Sequence, residues 1–177
     1  MAHGQGSPPR RGPDIMWSPW RMTYVSADHS GAYEDPDACV FCDLPKRSDD
    51  QRTFILYRGA RAFVIMNLYP YNNGHLMMVP YAHVDSLADL DEATLTELMT
   101  LAQRSQAVVQ ERMRPHGFNI GINQGRAAGA GIADHVHMHL VPRWAGDTNF
   151  MPVMGDVRVM PQHLEETYAL LRPGFEA

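Results

Sequence analysis

The chain of 177 residues is 45% hydrophobic and 20% charged, the balance of a globular protein large enough for one packed core. A formal net charge of −5 removes the electrostatic case for nonspecific nucleic-acid binding, and the longest apolar stretches, "FVIM" and "HLMMVP", are far too short to span a bilayer. Neither nucleic acid nor membrane is expected as a partner, and because "MAHGQGSPPRRGPDI" has no apolar signal region, the expected location is cytoplasmic.

Residues 1–15 are rich in Gly, Pro, Arg and Ser and read as a disordered tail, with residues 16–177 forming a single domain. The aromatics of "MWSPWRMTYV" (Trp17, Trp20, with Arg21) are expected to pack. Cys39 and Cys42 follow in "CVFC", a spacing that a reducing compartment uses for metal or redox chemistry. "TFILYR" and "RAFVIMN" then predict two strands joined at Gly59, and "HLMMVP" a third, ended by Pro80; "NLYPYNNG" between them is loop chemistry. From Asp91 to Met113 the period changes. Leu95, Leu98, Met99, Ala102, Val109 and Met113 recur at three- and four-residue steps behind an Asp91 N-cap, which predicts an amphipathic helix. "GFNIGIN" returns to strand, "QGRAAGAGIAD" is a glycine-rich loop, "HVHMHLV" is a strand closed by Pro142, and "QHLEETYALLR" predicts a last short helix. Runs of strands with one long helix between them define an α+β class with a largely antiparallel sheet. Met66, Met77, Met78 and Met99 are read as core.

The histidine strand carries the chemistry. Side chains of a strand alternate between faces, so His135, His137 and His139 share one face while Val136, Met138 and Leu140 fill the other. Core packing is a poor account of three imidazoles in a row. Two chemical readings remain: a catalytic metal centre, or one nucleophilic histidine with the others orienting it or protonating a leaving group. The glycine loop just upstream favours the second, since Gly125, Gly129 and Gly131 allow backbone N–H groups to approach a phosphate.

"HVHMHLV" resembles the signature of the histidine-triad superfamily of nucleotide hydrolases and transferases, three histidines alternating with apolar residues. "WSPWRM", "NLYPYNNGH" and "PRWAGDTNF" are similar to its bacterial branch of diadenosine tetraphosphate phosphorylases and related dinucleoside polyphosphate hydrolases. The resemblance implies that His137 attacks the α-phosphorus to form a nucleotidyl-histidine, later resolved by water or phosphate, with no metal required at that step. It implies that His139 and the loop around Gly131 contact nonbridging oxygens or the leaving group, and that Asn67 holds the ribose hydroxyls. Either Asn123 or Gln124 fits the phosphate-side amide, Asn123 being favoured by its context. The family often has Ser or Thr just before the triad, where this chain has Gly131, Ile132 and Ala133.

A structural zinc needs four ligands, and the resemblance implies that His83 and His135 join Cys39 and Cys42 in a closed site, one zinc per chain. It also implies a homodimer. Arg143 and Trp144 stand as candidates for the second half of a dinucleotide, or as plain surface residues. Three function classes follow: a nucleotidyl hydrolase or transferase acting on dinucleoside polyphosphates, with adenylated amines as an alternative substrate; a catalytic-metal hydrolase; and a noncatalytic nucleotide-binding module.

Overall fold

The computed structural model describes residues 39–147 and 162–176. The expected tail, the packed "MWSPWRMTYV" segment and the end of "PRWAGDTNF" lie outside them. Five strands, β1 (Ile55–Arg58), β2 (Ala62–Met66), β3 (Leu76–Pro80), β4 (Gly117–Ile122) and β5 (Met138–Arg143), form one sheet in the order β1-β2-β3-β5-β4. Every neighbouring pair is antiparallel. Strands β2 and β3 are buried at every position, which is why their sequences run apolar without alternation.

Among the described residues, four α-helices pack around the sheet: α1 (Val40–Asp43), α2 (Asp50–Thr53), α3 (Glu92–Met113) and α4 (Leu164–Leu171). The Asp91 carboxylate caps α3 by accepting the Thr94 N–H at 2.7 Å, and Arg114 ends it in the left-handed region at φ 52°. Leu98, Leu101, Ala102, Ser105, Val108 and Val109 form its buried stripe. That stripe, with Tyr168 and Leu171 of α4, covers Leu56, Val64, Met66, Leu76, Met78 and Leu140 on one face of the sheet. The opposite face carries Ile55, Phe63, Ile65, Met77 and Val79 packed on Phe41 of α1. A buried knot ties α4 to the β2–β3 loop: the Thr167 hydroxyl donates to Asn73 Oδ1 at 3.1 Å.

Three expectations need correction. Thr53 ends α2 and Phe54 takes a left-handed conformation (φ 57°), so β1 begins only at Ile55; local capping overrides the β-propensity of that dipeptide. Met99 is 60% exposed, because it falls beside the α3 stripe rather than in it. The triad strand starts at Met138. β3 pairs with β5 through Leu76↔Leu140, Met77↔His139 and Met78↔Met138, and the ladder stops as β3 approaches Pro80, which has no N–H to donate. His135 and His137 therefore precede β5 and are held by other bonds.

Candidate active site

His135, His137 and His139 are 0%, 4% and 8% exposed. They run along the sheet face that Phe41 covers: its ring lies 5.5 Å from His135 and 4.9 Å from His137, and His137 lies 4.8 Å from His139. Val136, Met138 and Leu140 belong to the core beneath α3, as alternation requires.

Hydrogen bonds fix the tautomers. His137 Nδ1 lies 2.8 Å from the His135 carbonyl, which can only accept, so Nδ1 carries the proton and Nε2 keeps its lone pair. Burial lowers the affinity of His137 for a second proton, with the carbonyl bond opposing in part. The side chain is thus a neutral imidazole with a nucleophilic Nε2. By the same logic His135 donates from Nε2 to the Pro80 carbonyl at 2.9 Å, which leaves its Nδ1 as the lone-pair atom. Burial, ahead of its other interactions, also lowers the His135 pKa.

That Nδ1 faces sulfur. Cys39 Sγ lies 3.3 Å from it and Cys42 Sγ 3.6 Å, while His83 Nδ1 lies 3.3 Å from Cys42 Sγ. The four donor atoms of Cys39, Cys42, His83 and His135 all lie within 4.8 Å of one another. Their chemistry fits a metal ion: two sulfurs, two imidazoles, and a His135 already turned with its lone pair inward. Burial, followed by the bond and charge of Cys39, pushes the Cys42 thiol up to about 11, and a cation among the four donors would offset that penalty.

The opposite end of the row meets a fourth histidine to which the sequence reading gave no role. His75, 1% exposed, accepts the Tyr71 N–H at Nδ1 (3.1 Å), with Asn67 Nδ2 3.3 Å from the same atom. Its proton is therefore on Nε2, which donates to His139 Nδ1 at 3.0 Å. His139, when neutral, then carries its own proton on Nε2. The available signal was Gly74, a positive-φ residue (φ 72°) whose turn aims His75 inward at the head of an apolar strand.

The remaining candidates divide. Asn67 is half-buried beside His75, and its Oδ1 accepts the Tyr69 N–H at 2.9 Å. Asn123 is half-buried and directly follows β4, whose pairing with β5 ends at Ile122↔Met138. Gln124 is engaged elsewhere. Its Oε1 accepts the Leu87 N–H at 3.2 Å and its Nε2 donates to the Ser86 hydroxyl at 3.2 Å, so it pins the loop before α3. Gly131 is exposed in the β4–β5 loop, next to Ile132, which packs on the Phe41 cluster. Arg143 is exposed and paired: it forms a bidentate pair with Asp147 at 2.7 and 2.8 Å and donates to Asn119 Oδ1 at 2.8 Å.

A family model described as HIT domain matches residues 48–146. The AP-4-A phosphorylase of Mycobacterium tuberculosis (strain H37Rv) is 41% identical over 161 residues, covering 88% of this chain and 81% of that protein. The asymmetrical bis(5'-nucleosyl)-tetraphosphatase of Schizosaccharomyces pombe is 34% identical over 93 residues, 52% of this chain and 50% of that one. Among solved structures, a Zn-bound histidine triad family protein from Mycobacterium smegmatis aligns with a TM-score of 0.63 and 28% identity, over 78% of this chain and 94% of that one.

Proposed function

The chain belongs to the HIT domain family, and on that premise we propose that it cleaves dinucleoside polyphosphates by transferring a nucleotidyl group to His137. It is an enzyme of that family, and processing of dinucleoside polyphosphates is supported by what its relatives from M. tuberculosis and S. pombe are named for. The observation that carries the finer reading is the His137 tautomer: a buried, neutral imidazole whose Nδ1 proton is held by the His135 carbonyl and whose Nε2 lone pair remains for attack.

In the first step His137 Nε2 forms a bond to the α-phosphorus as the bridging P–O bond breaks, and that electron pair departs on the polyphosphate. His139, oriented by His75, donates an Nε2–H hydrogen bond to the leaving oxygen or a nonbridging oxygen, and the polyphosphate departs as an anion. Asn67 takes the ribose hydroxyls; Asn123 and the backbone around Gly131 face the phosphates. In the second step an oxygen of water or of inorganic phosphate attacks phosphorus, the P–N bond breaks, and its electron pair restores the His137 lone pair. Water yields a nucleoside monophosphate and phosphate a nucleoside diphosphate.

Cys39, Cys42, His83 and His135 would hold one zinc ion, a reading supported by their clustered donor atoms. When bound, the ion supplies a cross-link between α1 and the start of the triad segment, and four protein ligands leave no open position for substrate. None of these ligands is His137 or His139, which speaks against a catalytic metal. The working unit is a homodimer, in keeping with β4, an edge strand whose Ile120 is 46% exposed. No helix among the described residues is long and apolar enough to cross a membrane.

The test is a rapid quench at neutral or alkaline pH with radiolabelled diadenosine tetraphosphate. Label on a peptide containing His137, absent in His137→Asn, is the expected outcome; turnover without any covalent nucleotide would overturn the mechanism. Product analysis with and without phosphate, repeated with an adenylated amine, identifies the acceptor and the better substrate.

A further inference from the structure

Beyond His139 the same sheet face opens into a cavity of about 220 Å³, lined by Tyr71, Asn72, Asn119, Val141, Arg143 and Asp147. The register explains its place. Gly121 pairs with His139, Asn119 with Val141 and Gly117 with Arg143, so Asn119, Val141 and Arg143 continue the face on which His139 stands. Tyr71 joins the two regions: its ring is stacked beside His139 at 5.8 Å and 29°, and it also lines the cavity.

The charge pattern decides what such a cavity accepts. Arg143 is its cation, yet the guanidinium is matched by the Asp147 carboxylate through two bonds of 2.7 and 2.8 Å. Asp147 is held further by the Asn72 amide at 2.8 Å and the Trp144 N–H at 3.1 Å, a turn made possible by Gly146 at φ 81°. With Asp147 seated on that guanidinium, a phosphate entering here would meet an acidic group beside the cation. A flat, uncharged, hydrogen-bonding group meets none of that repulsion. Tyr71, 38% exposed, brings an aromatic ring to the lining, Val141 an apolar floor, and Asn119, whose Oδ1 is held by Arg143 at 2.8 Å, an amide nitrogen for an acceptor on the ring.

We propose that this cavity seats the second, departing nucleobase of a dinucleoside polyphosphate. The proposal rests on the nucleotidyl-transfer reading above and adds to it a recognition site for the leaving half. Reach is consistent: Val141 and Arg143 lie two and four residues beyond His139 on one strand face, about 7 and 14 Å, distances a chain of several phosphates spans. The leaving polyphosphate would pass the His139 Nε2–H, which donates a hydrogen bond to it, and end with its base against Tyr71.

The experiment compares kcat/KM for diadenosine tetraphosphate and for adenosine 5'-tetraphosphate, which has the same chain of phosphates and no second base. Val141→Phe fills the cavity; Asn119→Ala removes its donor on an exposed strand position and keeps the test valid if the first variant fails to fold. The expected result is a wild-type preference for the two-base substrate, with the ratio of the two kcat/KM values falling about tenfold in Val141→Phe and severalfold in Asn119→Ala, chiefly through KM. An unchanged ratio in both variants overturns the base site. So does a raised KM for inorganic phosphate with the ratio intact, which would assign the cavity to the acceptor. If wild-type protein turns over neither nucleotide, the nucleotidyl-transfer reading itself falls, and the base site with it.

Discussion

The two outer histidines of the row are alike in residue type, in burial and in standing two residues from His137, yet their surroundings engage opposite ring nitrogens. His135 gives its Nε2 proton to the Pro80 carbonyl and turns Nδ1 toward Cys39 and Cys42. His139 accepts a hydrogen bond at Nδ1 from His75, which is itself fixed by the Tyr71 N–H. One end thus turns a lone pair toward two sulfurs, and the other keeps its N–H at Nε2. The lesson is that a histidine's role is set by which nitrogen its neighbours leave available, and that choice is made by a carbonyl in one case and a second imidazole in the other.

The centre of the row sets the scale against which both ends are judged. His137→Asn should abolish turnover by several orders of magnitude, measured as kcat with diadenosine tetraphosphate, while nucleotide binding survives. Retention of a tenth of wild-type activity, a difference of only about 1.4 kcal/mol, would be incompatible with covalent catalysis by this side chain.

At the His139 end, His75→Leu removes the donor that fixes the neighbouring tautomer, and kcat should fall by about a hundredfold. A leaving oxygen of lower basicity, which depends less on the His139 N–H, should recover most of that loss, whereas a merely structural role for His75 would depress all substrates equally and lower the melting temperature in step.

The His135 end should respond in the other currency. Cys42→Ser, or chelation, should release about one zinc per chain and lower Tm by roughly 8–16 °C: saturation at a thousandfold excess over Kd contributes about 4 kcal/mol, worth about 2–4 °C per kcal/mol in a chain of this size. Activity of the folded variant should stay within about tenfold of wild type. Activity lost on metal removal and restored by readdition, with Tm unmoved, would erase the contrast between the two ends and favour a catalytic metal.

The smallest effect is in the pH profile. Burial depresses the pKa of His137, so the nucleophile stays neutral below the ordinary imidazole value of about 6.5. The acid limb of kcat/KM is expected below that value, in a substrate whose own ionisation lies elsewhere. Stability follows the same sign. Unfolded chains bind the proton that folded His137 refuses, so stability is level above about pH 6.5 and declines as pH falls below it. A limb at or above pH 6.5 would mean that His137 is solvated and that its environment does not tune it.

Much of this molecule was legible in its residues because the relevant physics is local. Period-3.6 spacing and Asp91 define α3, unbroken apolar runs define the buried strands β2 and β3, and alternation assigns Val136, Met138 and Leu140 to the core beneath α3. The likeness of "HVHMHLV" to a known signature pointed to the family whose model matches residues 48–146. What tertiary structure decided depends on atoms distant in sequence. His75 meets His139 across 64 residues and Cys39 meets His135 across 96, so neither the tautomers nor the ligand cluster can be computed from any window of the chain. Gln124 and Asn123 are adjacent and chemically alike; only the fold brings Gln124 to Ser86 and Leu87, more than thirty-five residues away in sequence. Arg143 meets Asp147 because the turn at Gly146 returns the carboxylate to it. Periodicity fixes which way a side chain points, and packing fixes what it finds there.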